Sequence, residues 1–123
     1  MLNSKHWTDS ETLLVDRRLY EVWFGGNRIP LTATEYDLLE ALHRGNDRVI
    51  ARLELYETVW GGGARGIRVV DTYVSRLRTK LRAAGHPGVM SIRKRGYRLA
   101  GHVEYTGYDS RGLRQPTDRS LRQ

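Results

Sequence analysis

The stretch IRVVDTYVSRLRTKLRAAGHPGVMSIRKRGYRLA, residues 67–100, decides how this chain is read. Over 67–84 its apolar residues recur at helical spacing: with Val70 set to zero at 100° per residue, Val74, Leu77 and Leu81 fall within about 40° of it. Arg68, Thr72, Ser75, Thr79 and Arg82 gather within about 60° of the opposite pole, and Arg76 lies at that margin. The spacing predicts one amphipathic helix with an aliphatic inner face and a basic, small-polar outer face, stopped by Gly85 and followed by Pro87. Beyond it, 89–93 and 97–100 read as two strands around Lys94-Arg95-Gly96, a hairpin with three bases at or beside its tip.

Upstream, residues 13–31 alternate β-rich runs (13–15, 19–24 and 29–31) with the turn signals Asp16-Arg17-Arg18 and Gly25-Gly26-Asn27, which predicts a small antiparallel meander. The next residues, Leu31-Thr32-Ala33-Thr34-Glu35-Tyr36, contain a full helix start. Thr32 can accept from the first-turn amides, Glu35 can reach back to the Thr32 amide, and Leu31 can staple onto Tyr36. Leu38, Leu39, Ala41 and Leu42 share one face of that helix, and Gly45 is a fitting stop. A second, short helix is expected over 52–60, with Leu55, Val59 and Trp60 facing inward and Ala51 as a poor cap. Gly61-Gly62-Gly63-Ala64-Arg65-Gly66 then forms a flexible connector that lacks the Lys-Ser or Lys-Thr ending of a phosphate loop.

The length of 123 residues suits one domain, and 39% hydrophobic with 28% charged residues suits a folded one. With no cysteine there is neither a disulfide nor a thiolate site. The start MLNSKHWTDSE has no apolar core of signal-peptide length and no run approaches a membrane span, so a cytoplasmic location without a membrane partner is expected. The net charge of +7 is unevenly spread: residues 64–100 carry ten bases and the single acid Asp71, whereas 1–63 carry seven bases and ten acids. A solvated face is the bland explanation of such a run, and an acidic partner the sharper one.

Two helices and a connector, the second helix basic on its outer face and followed by an arginine-rich hairpin, form the arrangement of a winged helix-turn-helix. Such a helix fits the major groove, where Arg reads guanine bidentately and Thr permits close approach to base edges. A protruding hairpin with Arg near its tip can reach the neighbouring minor groove. The fold class expected is therefore α+β, a winged helix-turn-helix with an N-terminal antiparallel sheet, three helices and a C-terminal β-hairpin wing. Its bounds are a 1–11 extension, a 12–101 domain and a 102–123 polar basic tail, weakly ordered from about Glu104 onward.

The chain also resembles the C-terminal effector domain of OmpR/PhoB-type response regulators over roughly residues 12–100. The resemblance is carried by IPLTATEYDLL (29–39), by 55–60 with Gly61, by RVVDTYVSRLRTKL (68–81) and by Gly96-Tyr97-Arg98-Leu99. It implies sequence-specific binding of double-stranded DNA and regulation of transcription; separately, no Ser, His and acid set and no paired carboxylates stand out, so neither enzymatic activity nor a cofactor is expected. By matching position, Thr72, Tyr73 and Arg76 would face the major groove and Arg93 would enter the minor groove. Arg68, Ser75, Arg78, Thr79 and Lys80 on the helix, with Ser91, Lys94 and Arg95 on the wing, would contact the DNA backbone. The connector, with Trp60, Gly62 and Arg65, matches the place where RNA polymerase is contacted, and glycine-rich flexibility is the equal alternative. Two copies head to tail on direct-repeat DNA are implied by resemblance only.

The chain departs from the family pattern in having Tyr73 where His is usual and Lys94 where glycine is usual at the wing tip. The phospho-acceptor domain that normally precedes this module is not seen, which leaves a free-standing regulator or an excised effector domain as alternatives; the N-terminal Met and the tail favour the first. Asp71, on the flank near Arg68, Ser75 and Arg78, is expected to orient an arginine by a salt bridge, with acceptance from a cytosine amine as the alternative. His6, His43, His86 and His102 show no metal-ligand spacing and are expected at the surface. The rival functions are a sequence-indifferent architectural DNA binder and a protein- or RNA-interaction module on the same fold.

Overall fold

The computed structural model describes residues 12–44 and 48–106. Along the chain run β1 (Thr12–Asp16), β2 (Glu21–Phe24), β3 (Asn27–Ile29), α1 (Ala33–His43), α2 (Arg52–Trp60), α3 (Arg68–Ala83), β4 (Val89–Ile92), β5 (Gly96–Leu99) and β6 (His102–Thr106). This is the mixed α+β arrangement expected, with three helices and a two-stranded wing made of β4 and β5.

The N-terminal sheet differs from expectation in two ways. Its order is β3-β2-β1-β6, and β6 pairs parallel to β1 in register Leu13↔Val103 and Val15↔Tyr105, so the sheet is mixed rather than wholly antiparallel. Glu104 and its neighbours are therefore strand rather than loose tail, and the ordered sheet runs past residue 101. The physical cause is the alternation of His102-Val103-Glu104-Tyr105-Thr106, which lays Val103 and Tyr105 against the core. The guanidinium of Arg17 sits 3.9 Å above the Tyr105 ring, and His43 of α1 meets that ring edge-on at 4.7 Å. Residues 107–123 and 1–11 lie outside the described residues, as does the helix stop at Gly45.

The second difference is that Leu19, Tyr20 and Leu31 are not in strands. The Asp16 carboxylate accepts from the amides of Arg18 and Leu19 at 3.0 and 3.2 Å, folding 17–20 into a turn whose last residue, Tyr20, has φ 55°. The strand can restart only at Glu21.

The helix start at Thr32 forms as expected: Thr32 Oγ1 accepts from the Glu35 amide at 3.2 Å and Glu35 Oε1 from the Thr32 amide at 2.9 Å. In α2, Ala51 makes no side-chain cap, and the helix closes on Gly61, which is left-handed at φ 72°. Tyr56 and Leu55 are the buried residues of α2, whereas Val59 and Trp60 are half-buried at the core's edge. The inner face of α3 is the expected one, with Val70, Val74, Leu77 and Leu81 all fully buried. They join Leu38, Leu39, Leu42, Leu55 and the inward residues of β1 and β2 in one core. Each such aliphatic side chain contributes roughly 1.5–3 kcal/mol by leaving water. His86 is buried rather than at the surface: its Nδ1 accepts from the Gly88 amide at 2.8 Å and its ring meets Phe24 edge-on at 5.1 Å. Burial lowers its pKa from the ordinary value of 6.5, outweighing the opposing effect of the Ala100 backbone, so it packs as a neutral ring.

Candidate nucleic-acid interface

The candidate site is the outer face of α3 and the tip of the wing beside it. Arg68, Thr72, Ser75, Arg76, Thr79 and Arg82 are exposed along α3, on the side opposite the buried aliphatic row. At the wing, Arg93, Lys94 and Arg95 are all exposed in a three-residue turn closed by the Arg95 amide donating to the Ile92 carbonyl at 2.8 Å. Lys94 takes the left-handed conformation, φ 65°, that the turn demands and that a glycine would adopt more easily. A hollow of about 560 Å³ lies between the wing and the start of α2, lined among others by Arg52, Ser91, Arg93, Arg95 and Tyr97, with Asp71 contributed by α3.

Long-range polar contacts, which no local pattern of residues announces, hold wing and helix together. Asp71 on α3 accepts from Arg52 Nε at 3.0 Å and Nη2 at 2.8 Å, and from the Tyr97 hydroxyl of β5 at 2.6 Å. The arginine it orients is thus Arg52 of α2, not Arg68 or Arg78 on its own helix. Burial alone would raise the Asp71 carboxyl, but the hydrogen bonds from Tyr97 and Arg52 and the charges of Arg52 and Arg68 hold it below its ordinary 3.8. Tyr97 is pushed up to about 12 by burial and by that carboxylate, so its hydroxyl stays a donor. Backbone bonds add a second tie: the Ile50 amide donates to the Tyr97 carbonyl at 2.8 Å and the Tyr97 amide to the Ile50 carbonyl at 3.0 Å.

Several residues expected at the DNA backbone have structural bonds of their own. Arg78 Nε donates to the Val89 carbonyl and its Nη2 to Ser91 Oγ, both at 2.8 Å, which fastens α3 to β4. Lys80 Nζ lies 2.7 Å from Oε1 of the buried Glu35, fastening α3 to α1. Burial would raise the Glu35 carboxyl, but Lys80 and the Thr32 amide hold it below its ordinary 4.5. Tyr73 is half-buried: its ring meets Trp60 edge-on at 5.5 Å, and the Arg76 guanidinium lies 4.8 Å from its centroid.

The glycine-rich connector has a fixed point. The Tyr56 hydroxyl donates to the Gly63 carbonyl at 2.7 Å and accepts from the Gly66 amide at 2.9 Å. Gly62 is half-buried and Arg65 exposed on this loop. Among the described residues no group of acids and histidines is placed to hold a metal ion, and no helix is long and apolar enough to cross a membrane.

Comparison with known proteins agrees with this geometry. The family model described as "Transcriptional regulatory protein, C terminal" matches residues 26–99. The sensory transduction protein RegX3 of Mycobacterium tuberculosis is 35% identical over 96 residues, 76% of this chain and 42% of that protein. The transcriptional regulatory protein VxrB of Vibrio cholerae is 40% identical over 93 residues, 73% of this chain and 36% of that protein. The chain thus spans about two fifths of the length of these relatives. The RstA DNA-binding domain of Klebsiella pneumoniae, solved in complex with the RstA box, superposes with a TM-score of 0.61 at 30% identity, covering 70% of this chain and 88% of that one. A winged-helix fold with its basic helix and wing on one side, matched by the family model over most of its length, places this chain in the OmpR/PhoB-type family of transcriptional regulator effector domains, which are DNA-binding modules and not enzymes.

Proposed function

We propose that this protein reads double-stranded DNA in a sequence-specific manner, with α3 in the major groove and the wing in the adjacent minor groove. The observation that carries the proposal is the pairing of one exposed helix face, with Arg68, Thr72, Ser75, Arg76 and Thr79, with an exposed wing tip, Arg93, Lys94 and Arg95, on a hairpin bonded to the same helix through Arg78–Ser91 and Tyr97–Asp71. Arg76 and Thr72 are the proposed base readers, and Arg93 is the minor-groove reader. Arg68, Ser75, Thr79, Lys94 and Arg95 hold phosphates. Arg78, Lys80 and Ser91 act first as braces, because their polar atoms are already bonded within the fold. The connector carrying Trp60, Gly62 and Arg65 is the proposed RNA polymerase contact, and two copies on direct-repeat DNA are the proposed assembly. Both rest on the resemblance to the family.

Selection of duplex DNA from a random pool at near-physiological salt tests this. An enriched motif, repeated about one helical turn apart if two copies bind, is the expected result. Binding without enrichment would identify a sequence-indifferent binder, and no binding would identify a protein- or RNA-directed module. Arg76→Ala should cost roughly 1–3 kcal/mol on the selected site and relax it, whereas Arg68→Ala should weaken all sequences alike and lower the salt slope by about one.

A further inference from the structure

We infer that Tyr73 is a positioning residue for Arg76: it sets the arginine's direction from within the protein and does not itself read a base. The inference rests on the groove assignment above. Tyr73 and Arg76 stand three residues apart on α3, which makes their side chains neighbours on the helix surface. The Arg76 guanidinium lies 4.8 Å from the centroid of the Tyr73 ring, inside the range of a cation–π contact. Tyr73 is in turn in contact with Trp60, the last residue of α2, at 5.5 Å and an interplanar angle of 64°. Trp60, Tyr73 and Arg76 thus form a ladder from the end of α2 to the exposed face of α3.

The chemistry of the contact suits a reading arginine. A cation–π contact takes no hydrogen bond from the guanidinium and so leaves its N–H donors available, whereas an ion pair would consume them. Arg52 and Arg78 show the contrast: their donors are spent on Asp71 and on Val89 and Ser91. Among the described residues no hydrogen bond or ion pair takes up the Arg76 guanidinium. A long side chain that must be ordered on binding loses affinity through lost rotamer freedom, and a ring that already limits those rotamers removes part of that loss. The Tyr73 ring is half-buried and edge-on to Trp60, and this packing holds it in place beside Arg76.

The test compares the wild type with Tyr73→Phe, Tyr73→Leu and Arg76→Ala in selection from random duplex DNA, together with NMR of the free protein. The phenylalanine variant keeps the ring and loses the hydroxyl. It should select the wild-type motif. The leucine variant should keep the register of the motif while discrimination at the base pair governed by Arg76 falls roughly 2- to 5-fold. In the free protein the Arg76 side-chain protons should be shifted upfield by the ring in the wild type and in Tyr73→Phe, and return to ordinary values in Tyr73→Leu. A Tyr73→Phe motif altered as much as that of Tyr73→Leu would mean that the hydroxyl reads the base, and would overturn the inference. So would Arg76 protons without a ring shift in the wild type. A motif untouched by Arg76→Ala would instead overturn the groove assignment, and with it any part for Tyr73 in reading, while the ring shift would still report the contact.

Discussion

Arg52 and Asp71, nineteen residues apart in the chain, form a two-pronged ion pair at 3.0 and 2.8 Å that joins the start of α2 to the first turn of α3. The Tyr97 hydroxyl at 2.6 Å brings the wing into the same cluster. The pair has geometry that favours it, two parallel N–H···O bonds, but both side chains are about two-fifths exposed, at 40% and 43%, so water screens much of its strength. Its larger consequence is mechanical, since it fixes how far the wing stands from α3.

Asp71→Asn should therefore lower stability by only about 1 to 2 kcal/mol while loosening wing from helix. On the groove assignment proposed above, the part of the selected motif assigned to α3 should persist and the preference at the flank assigned to Arg93 should weaken. Thermal melting gives the first quantity and the selected motif the second.

Lys80 and Glu35 predict a pH dependence. Glu35 has a lowered pKa in the folded protein, so the stability it contributes is present above its ordinary 4.5 and is lost as pH falls through the depressed folded value. Lys80→Ala leaves a buried carboxylate without its cation and should cost about 1 to 3 kcal/mol at neutral pH. That cost should shrink in acid, where Glu35 is protonated in both proteins. Urea unfolding of the two proteins across the acid range measures it; a cost that stays constant would contradict the pairing.

Tyr56→Phe removes one oxygen and so frees the Gly63 carbonyl and the Gly66 amide together. A loss of about 0.5 to 1.5 kcal/mol is expected, with faster amide exchange at Gly66. Because the Gly66 carbonyl accepts from the Val69 amide at 3.2 Å, the first turn of α3 should exchange faster too. Hydrogen exchange followed by NMR resolves these amides one by one.

Gly96 cannot be replaced. A Cβ there would collide with the Ile50 carbonyl, and its φ of 141° is one that side chains resist. Gly96→Ala should break the Ile50–Tyr97 bridge and cost about 2 kcal/mol or more, whereas Gly62→Ala, whose added carbon meets nothing, should cost only the strain of its φ of 74°. Melting temperatures of the two variants should differ in that order.

What the sequence determined by itself is what local spacing encodes. The aliphatic row of Val70, Val74, Leu77 and Leu81, the reciprocal bonds of Thr32 and Glu35, and the basic hairpin are periodic or short-range features; the first two are found as read, and the hairpin is found with its turn one residue earlier, at 93–95, and Gly96 already in β5. The alternation of 102–106 was equally legible, but its strand forms only because the edge of β1 is open to it, and nothing local says that an edge is free. The turn at 17–20 hid behind apolar Leu19 and Tyr20, since the deciding atom is the Asp16 carboxylate. Only the tertiary structure decided which charged residues of α3 are taken up within the fold. Lys80 goes to Glu35 forty-five residues away, Arg78 to Ser91 thirteen away, and Asp71 to Arg52, because a charged side chain takes whichever partner packing brings within about 3 Å, and sequence separation does not measure that distance.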